Sequence, residues 1–237
     1  MAAVFILFSC SHSGSEKNTG KKDSLRSEID TFYVGKKLFT VEPSSKEEFD
    51  KLPETLVDTA ESHNLLKDSG HVKRTGDSLV FTLNGSGRVV LKNEITDDDS
   101  YVRYTYCGSI PEIGKWLVYG AYYEWYNYLL IDQSTGDTTE VIGEPLVSPD
   151  RKHFVCANSD LFAGFTYNGI ELFENEQGRT KLIGSREIGA WGPDRIRWLD
   201  NSTMLVEQSR IDTTAQNMEA IRYIRLKMDQ GHGEASF

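Results

Sequence analysis

The sequence is poor in the residues from which reactive sites are most often assembled. It has three Cys and five His in 237 residues. The histidines (His12, His63, His71, His153 and His232) stand singly, and no Cys-x-x-Cys or His-x-x-x-His pairing provides a zinc-ligand spacing. There is no Gly-x-x-x-x-Gly-Lys-Ser/Thr phosphate cradle and no Gly-x-Gly-x-x-Gly opening a helix. Gly85-Ser86-Gly87 is not the Gly-x-Ser-x-Gly elbow that projects a nucleophilic serine from a strand-to-helix turn. Positive charge is short as well: 26 Lys and Arg against 36 Asp and Glu leave a net charge of −10. A chain of that balance lacks the basic stripe that a phosphate backbone requires, which excludes nucleic acid as a partner. Acidic runs do not make a calcium site. Asp97-Asp98-Asp99 lacks alternate-residue spacing, and the loop from Asp132 has Gly143 where an EF-hand places its closing Glu. Both read as turns, and no cofactor or metal is expected.

What is present begins with a short apolar run, Ala2-Ala3-Val4-Phe5-Ile6-Leu7-Phe8, that ends in Ser9-Cys10 and gives way to Ser11-His12-Ser13-Gly14-Ser15. Its seven apolar residues fall far short of the roughly 20 that cross a bilayer as a helix. A short apolar segment closing on a small residue and Cys reads as a secretory signal with a processing site, although no Lys or Arg precedes it. It resembles the lipobox of bacterial lipoproteins. That resemblance implies a signal peptide over residues 1–9, a lipid on Cys10, and a mature protein anchored in the cell envelope, at the periplasmic or surface face of a membrane, the outer membrane first. Two or three acyl chains, at about 0.8 kcal/mol per buried methylene, make a stable anchor where one chain is marginal. Residues 10–28 are Ser, Gly, Lys, Asn and Asp with almost nothing apolar, so they read as a flexible tether. Residues 29–237 remain for a globular domain.

That domain reads as all-β. From about Val72 onward, short runs rich in β-branched and aromatic residues alternate with Gly, Asp, Asn or Pro; the runs cover 78–83, 88–91, 101–107, 116–119, 126–131, 139–142, 153–156, 169–173, 181–183, 195–198, 204–207 and 221–228. Turns such as Asn84-Gly85-Ser86-Gly87 and Asp200-Asn201-Ser202 make this a meander of hairpins. Only the earlier stretch looks helical. Ser44-Ser45 ahead of Glu47-Glu48 offers a capping box for a helix over 46–52, and Pro53 opens a second over 54–66.

The strands repeat. The run from Tyr128 through Asp132 to Gly136 is echoed from Ile170 through Glu174 to Gly178, 42 residues later, and more loosely from Ile224. Val141-Ile142-Gly143 and Leu182-Ile183-Gly184 follow the two turns, and Ser148-Pro149-Asp150 introduces the strand after the first. A period near 40–50 residues is that of a four-stranded propeller blade. Residues 101–229 thus resemble β-propellers of the bacterial envelope, of the kind found in periplasmic binding and peptidase-associated domains. The resemblance implies a propeller-like arrangement, but only three to four units are visible where closed propellers have four to eight blades. Either residues 32–91 supply a degenerate blade or the strands form an open stack. A β-sandwich is the alternative.

Two candidate features follow. Cys107 and Cys156 are an even pair once Cys10 carries lipid; in an oxidising envelope they could form a disulfide, or they could be two buried thiols. Residues 119–128 hold six aromatic side chains in ten positions. Tyr and Trp bring large amphipathic area at low entropic cost, so Tyr122, Tyr123, Glu124, Trp125 and Tyr126 are the candidate binding residues for a protein or glycan. Strand alternation would put Tyr122, Glu124 and Tyr126 on one face and Tyr123 and Trp125 on the other, one face being core. The expected function is non-catalytic binding at the envelope. The alternative is an envelope hydrolase using paired carboxylates, with Glu124 among the aromatics as one of them.

Overall fold

The computed structural model describes residues 30–54, 57–211 and 219–229. The segment expected to be signal and tether, with Cys10, lies outside the described residues, as do His12 and His232. The domain is all-β, its strands paired antiparallel in four sheets.

The N-terminal hairpin, β1 (Asp30–Val34) and β2 (Lys37–Pro43), leads into α1 (Lys46–Asp50) and α2 (Glu61–Lys67). Ser45 caps α1, its hydroxyl accepting the Glu48 N–H at 3.2 Å, while the Ser44 hydroxyl donates to the Glu48 carboxylate at 2.7 Å. The second helix starts later than the sequence suggests because Asp58 takes the Ala60 N–H at 3.0 Å just ahead of it. A three-stranded sheet follows from β3 (Val72–Thr75), β4 (Ser78–Thr82) and β5 (Arg88–Lys92). Two four-stranded meanders come next. One is β6 (Val102–Ile110), β7 (Lys115–Tyr122), β8 (Tyr126–Asp132) and β9 (Thr138–Val141). The other is β10 (Pro145–Val147), β11 (His153–Asn158), β12 (Gly169–Glu176) and β13 (Arg179–Glu187). The last sheet runs β14 (Gly192–Trp198), β15 (Thr203–Ile211), β16 (Glu219–Met228), and is completed by β2 and β1.

Residues 32–91 are therefore not one degenerate unit. Their first two strands join the last sheet, where β2 pairs with β16 through Val41↔Leu226 and Phe39↔Met228. The rest form the three-stranded sheet. Sheets stack in chain order through three apolar clusters. Phe81, Trp116 and Tyr106 fill the first, between the β3–β5 and β6–β9 sheets. Leu117, Leu130, Phe154 and Phe173 fill the second, between β6–β9 and β10–β13, with the Phe154 and Phe173 rings stacked at 4.6 Å. Phe39, Leu172, Met204 and Leu226 fill the third, between β10–β13 and the last sheet. Among the described residues no buried cluster joins the last sheet to the β3–β5 sheet. The helical segment lies there instead, α1 against β15 and α2 against β6 and β3. Arg197 of β14 fastens it: its Nη1 donates to the Phe49 carbonyl at 3.0 Å and the Leu52 carbonyl at 2.8 Å, and its guanidinium lies 4.3 Å from the Phe49 ring centroid.

Cys107 and Cys156 are both buried and unbridged. They belong to one apolar cluster but to facing sheets, Cys107 at a bulge in β6 and Cys156 on β11 paired with Pro145 and Glu171. Burial pushes the Cys107 thiol up to about 11 and the Cys156 thiol well above its ordinary value, so both stay protonated. Among the described residues no helix is long and apolar enough to cross a membrane.

Candidate functional site: an aromatic cleft between two loops

In a meander every second connection emerges at the same end. The β7–β8 turn and the β11–β12 loop share an end, and both are aromatic. The β7–β8 turn is tight: β7 stops at Tyr122, β8 starts at Tyr126, and the Tyr122 N–H donates to the Trp125 carbonyl at 2.8 Å. Strand alternation consequently does not run through this segment. Tyr123 and Glu124 form the exposed tip, and the Tyr122 and Trp125 rings fold back onto each other, centroids 3.9 Å apart and 5° from parallel. Tyr126 turns inward instead, packing with Tyr119 and Tyr128 at centroid distances of 5.6 Å and 6.5 Å. The aromatic run is thus divided into an inner triad and an outer stacked pair.

The opposite wall is the β11–β12 loop, which sequence reasoning passed over. It is held by Asp160, whose carboxylate accepts the Gly164 N–H at 2.9 Å and the Thr166 N–H and hydroxyl at 2.6 and 2.9 Å. Burial works against ionisation of Asp160, but these donors outweigh it and hold its carboxyl below the usual carboxylate range. Asn168 anchors the loop's far end. Its Oδ1 accepts the Asp160 N–H at 3.0 Å, and its amide donates to the Ile188 carbonyl and, at 2.9 Å, to the Trp191 carbonyl.

Asn158, buried at the end of β11, ties the two walls together. It accepts the Tyr126 hydroxyl at 2.7 Å and donates to the Thr166 hydroxyl and the Tyr167 carbonyl, each at 2.8 Å. Asn158→Ala leaves all three partners without their bond, so it is expected to lower stability by about 1–3 kcal/mol. Denaturant midpoints measure the loss, and faster amide exchange in residues 159–168 than in the rest of the domain locates it.

Between the walls lies a cleft of about 370 Å³ whose lining includes Trp125, Tyr126, Phe165, Tyr167, Glu140 and Glu171. Trp125 is 45% exposed and Phe165 68%, and Tyr123 (55%) and Phe162 (56%) stand on the same two loops. Glu171 enters from β12, where its Oε2 accepts the Ile142 N–H at 3.1 Å. Burial raises its pKa in spite of that bond. Of the residues singled out from sequence, Trp125 and Tyr126 line the cleft, Tyr122 backs Trp125, and Tyr123 and Glu124 stay at the solvent-exposed tip. The signal missed was the density of aromatics in Phe162-Ala163-Gly164-Phe165-Thr166-Tyr167, in a hairpin connection too long to be a simple turn.

Tyr126 also lines a second cavity of about 260 Å³, whose walls include Glu54, Glu144, Asp194, Arg195 and Arg197. Burial raises the Glu144 pKa although the Tyr128 hydroxyl donates to it at 3.2 Å. Its two cations are already engaged. Arg195 grips Glu207 with both Nε and Nη2, at 2.8 and 2.6 Å, and Arg197 holds the helical segment. This cavity is a structural seam first. A third, of about 640 Å³, lies among β6, β10, β14 and the helical segment, lined in part by Cys107, Pro145, Ile196, Pro53 and Val57. Compared with protein-family models, curated proteins and solved structures, the chain shows no match.

Proposed function

We propose that this chain is a lipid-anchored envelope protein whose β domain binds a protein or glycan partner, without catalysis, through the cleft between residues 122–126 and 159–168. The observation that carries the reading is the exposure of four large aromatic side chains on two loops held by hydrogen bonds, Trp125 and Phe165 in the cleft wall and Tyr123 and Phe162 elsewhere on the same loops. Exposed aromatics on preorganised loops are the composition of interaction hot spots, because little entropy is lost when a partner covers them. The hydrolase alternative needs Glu124 facing a second acid across a cleft, and its place at the turn tip lends that no support.

The architecture we propose is propeller-like and partial. Two observations support it: consecutive sheets stack in chain order, and strands β6, β10 and β14 from three of them line one cavity. The N-terminal hairpin then completes the last unit, and the helical segment occupies the gap between the last and first units.

Replacing Trp125 and Phe165 together by Ala tests the function. Both are exposed, so the melting temperature is expected to stay within about 3 °C. Capture of the partner from detergent-solubilised envelopes is expected to fall at least about 30-fold, as the loss of hot-spot residues dictates. Unchanged capture by a folded double variant overturns the assignment of this cleft. Labelled palmitate incorporated by the wild type and lost in Cys10→Ala tests the anchor.

A further inference from the structure

We propose that the cleft receives a basic side chain, an arginine guanidinium or a lysine ammonium, presented by a partner protein; this rests on the cleft being the binding site and names what it binds. Charge balance is the first argument. The cleft's lining contains the carboxylates Glu140 and Glu171 and no Lys, Arg or His. Four other cavities each have a Lys or Arg in the wall, Arg195 and Lys67 in the two described above and Arg151 and Lys36 in two more. Three other partly buried acids are matched by a cation of the chain itself, Glu207 by Arg195, Glu61 by Arg74 and Asp132 by Lys115, while Glu144 takes the Tyr128 hydroxyl. Glu171 is not so matched: its carboxylate takes one backbone N–H through Oε2, and among the described residues Oε1 accepts no hydrogen bond. A half-buried carboxylate without a cation lacks the partner that such groups ordinarily have.

Aromatic chemistry is the second argument. Trp125, Tyr126, Phe165 and Tyr167 line the same cleft as the carboxylates. Aromatic faces carry negative quadrupoles that attract ammonium and guanidinium groups within about 6 Å, most strongly for Trp. Stacking on Tyr122 holds the Trp125 ring in place, so a cation meets a fixed face. Size and field agree. About 370 Å³ admits a long side chain but no folded element, and a net charge of −10 draws cationic partners in. A neutral sugar would stack on the same rings and could donate hydroxyls to Glu171, yet it brings no positive charge to offset the half-buried carboxylate.

The test uses the whole domain with its native N-terminal segment and follows the Trp125 indole resonance, assigned by its disappearance in Trp125→Phe. Titrants are Ac-Gly-Arg-Gly-amide, Ac-Gly-Lys-Gly-amide, the citrulline peptide Ac-Gly-Cit-Gly-amide, and an N-acetylglucosamine trimer. The arginine or lysine peptide is expected to bind about tenfold or more tightly than the citrulline peptide, which has the same shape and no charge. Glu171→Gln, which retains an acceptor for the Ile142 N–H, is expected to weaken it about fivefold or more while leaving the remaining spectrum in place. Equal binding of the charged and citrulline peptides, or an affinity untouched by Glu171→Gln in a folded variant, overturns the proposal. Binding of the trimer in place of the peptides overturns it while retaining the cleft as a glycan site. Silence of Trp125 toward every titrant overturns both the proposal and the binding assignment beneath it.

Discussion

Lys115→Met is expected to cost about 3–5 kcal/mol of folding stability, enough to lower the melting temperature of a domain this size by roughly 6–20 °C. Lys115 opens β7 with its ammonium buried. The ammonium donates to Asp132 Oδ2 at 2.5 Å across the β7–β8 ladder and to the Gly178 carbonyl at 3.0 Å in the neighbouring sheet. Asp132 Oδ1 meanwhile accepts the Ser134 and Thr135 N–H groups, each at 2.8 Å, closing the hairpin turn. The turn, the strand and the next sheet therefore share one charge pair. Without the ammonium, a partly buried carboxylate loses its counterion and the Gly178 carbonyl its donor, and methionine refills the volume without replacing either bond.

The pH dependence separates this effect from simple repacking. Burial pushes the Asp132 carboxyl up, but the Lys115 ammonium and the two backbone donors outweigh it and hold it below the ordinary carboxylate range. A carboxyl whose pKa is depressed by folding contributes stability that is complete above its unfolded value, near 4, and lost as pH falls through the folded value. The stability difference between wild type and Lys115→Met is thus expected to be constant from about pH 5 to 8 and to shrink below about pH 4. Urea midpoints across that range measure it, and a difference that persists at low pH would assign the loss to packing alone.

Gly35→Ala is expected to destabilise the domain by about 2–5 kcal/mol, through two separable causes. Gly35 sits in the two-residue β1–β2 turn at φ +59°, where a Cβ is disfavoured, and a Cβ there would come within 2.1 Å of the Ile183 carbonyl oxygen on β13. Two other glycines divide the effect. Gly76→Ala faces open space at φ +56°, so it reports the backbone cost alone, about 1 kcal/mol. Gly184→Ala, whose Cβ would lie 2.4 Å from the Gly35 Cα without a positive φ of its own, reports the collision alone. Gly35→Ala should approximate the sum of the two costs. A Gly184→Ala variant as stable as wild type would show that the contact between the hairpin turn and β13 is loose.

The collision gives one half of the sequence repeat a physical meaning. Gly143 and Gly184 occupy equivalent places in the two repeats, and each meets a neighbouring backbone, Gly143 the Ala157 carbonyl and Gly184 the Gly35 turn. What the sequence made legible were features written within about ten residues: Asp132 closing its turn, Ser45 capping α1, and the alternating apolar positions of β7 and β8 facing two clusters. Features set by distant partners were hidden. Nothing near Phe39 says that it pairs with Met228, and β10 is only Pro145–Val147, too short to show a period. The site divides along the same line. Tyr122 through Tyr126 announced one wall by composition, whereas Glu171 and Phe165 joined it through sheet stacking and a loop conformation held by Asp160 and Asn158.

The pairing of β2 with β16 puts the beginning of the domain's synthesis and its end side by side in one sheet. Until β16 has been made, the first hairpin offers a ladder of N–H and C=O groups paired only with water on that side. A nascent chain in that condition is open to trapping by foreign strands. Truncation before Ile224 should accordingly leave an aggregating precursor rather than a shorter native protein.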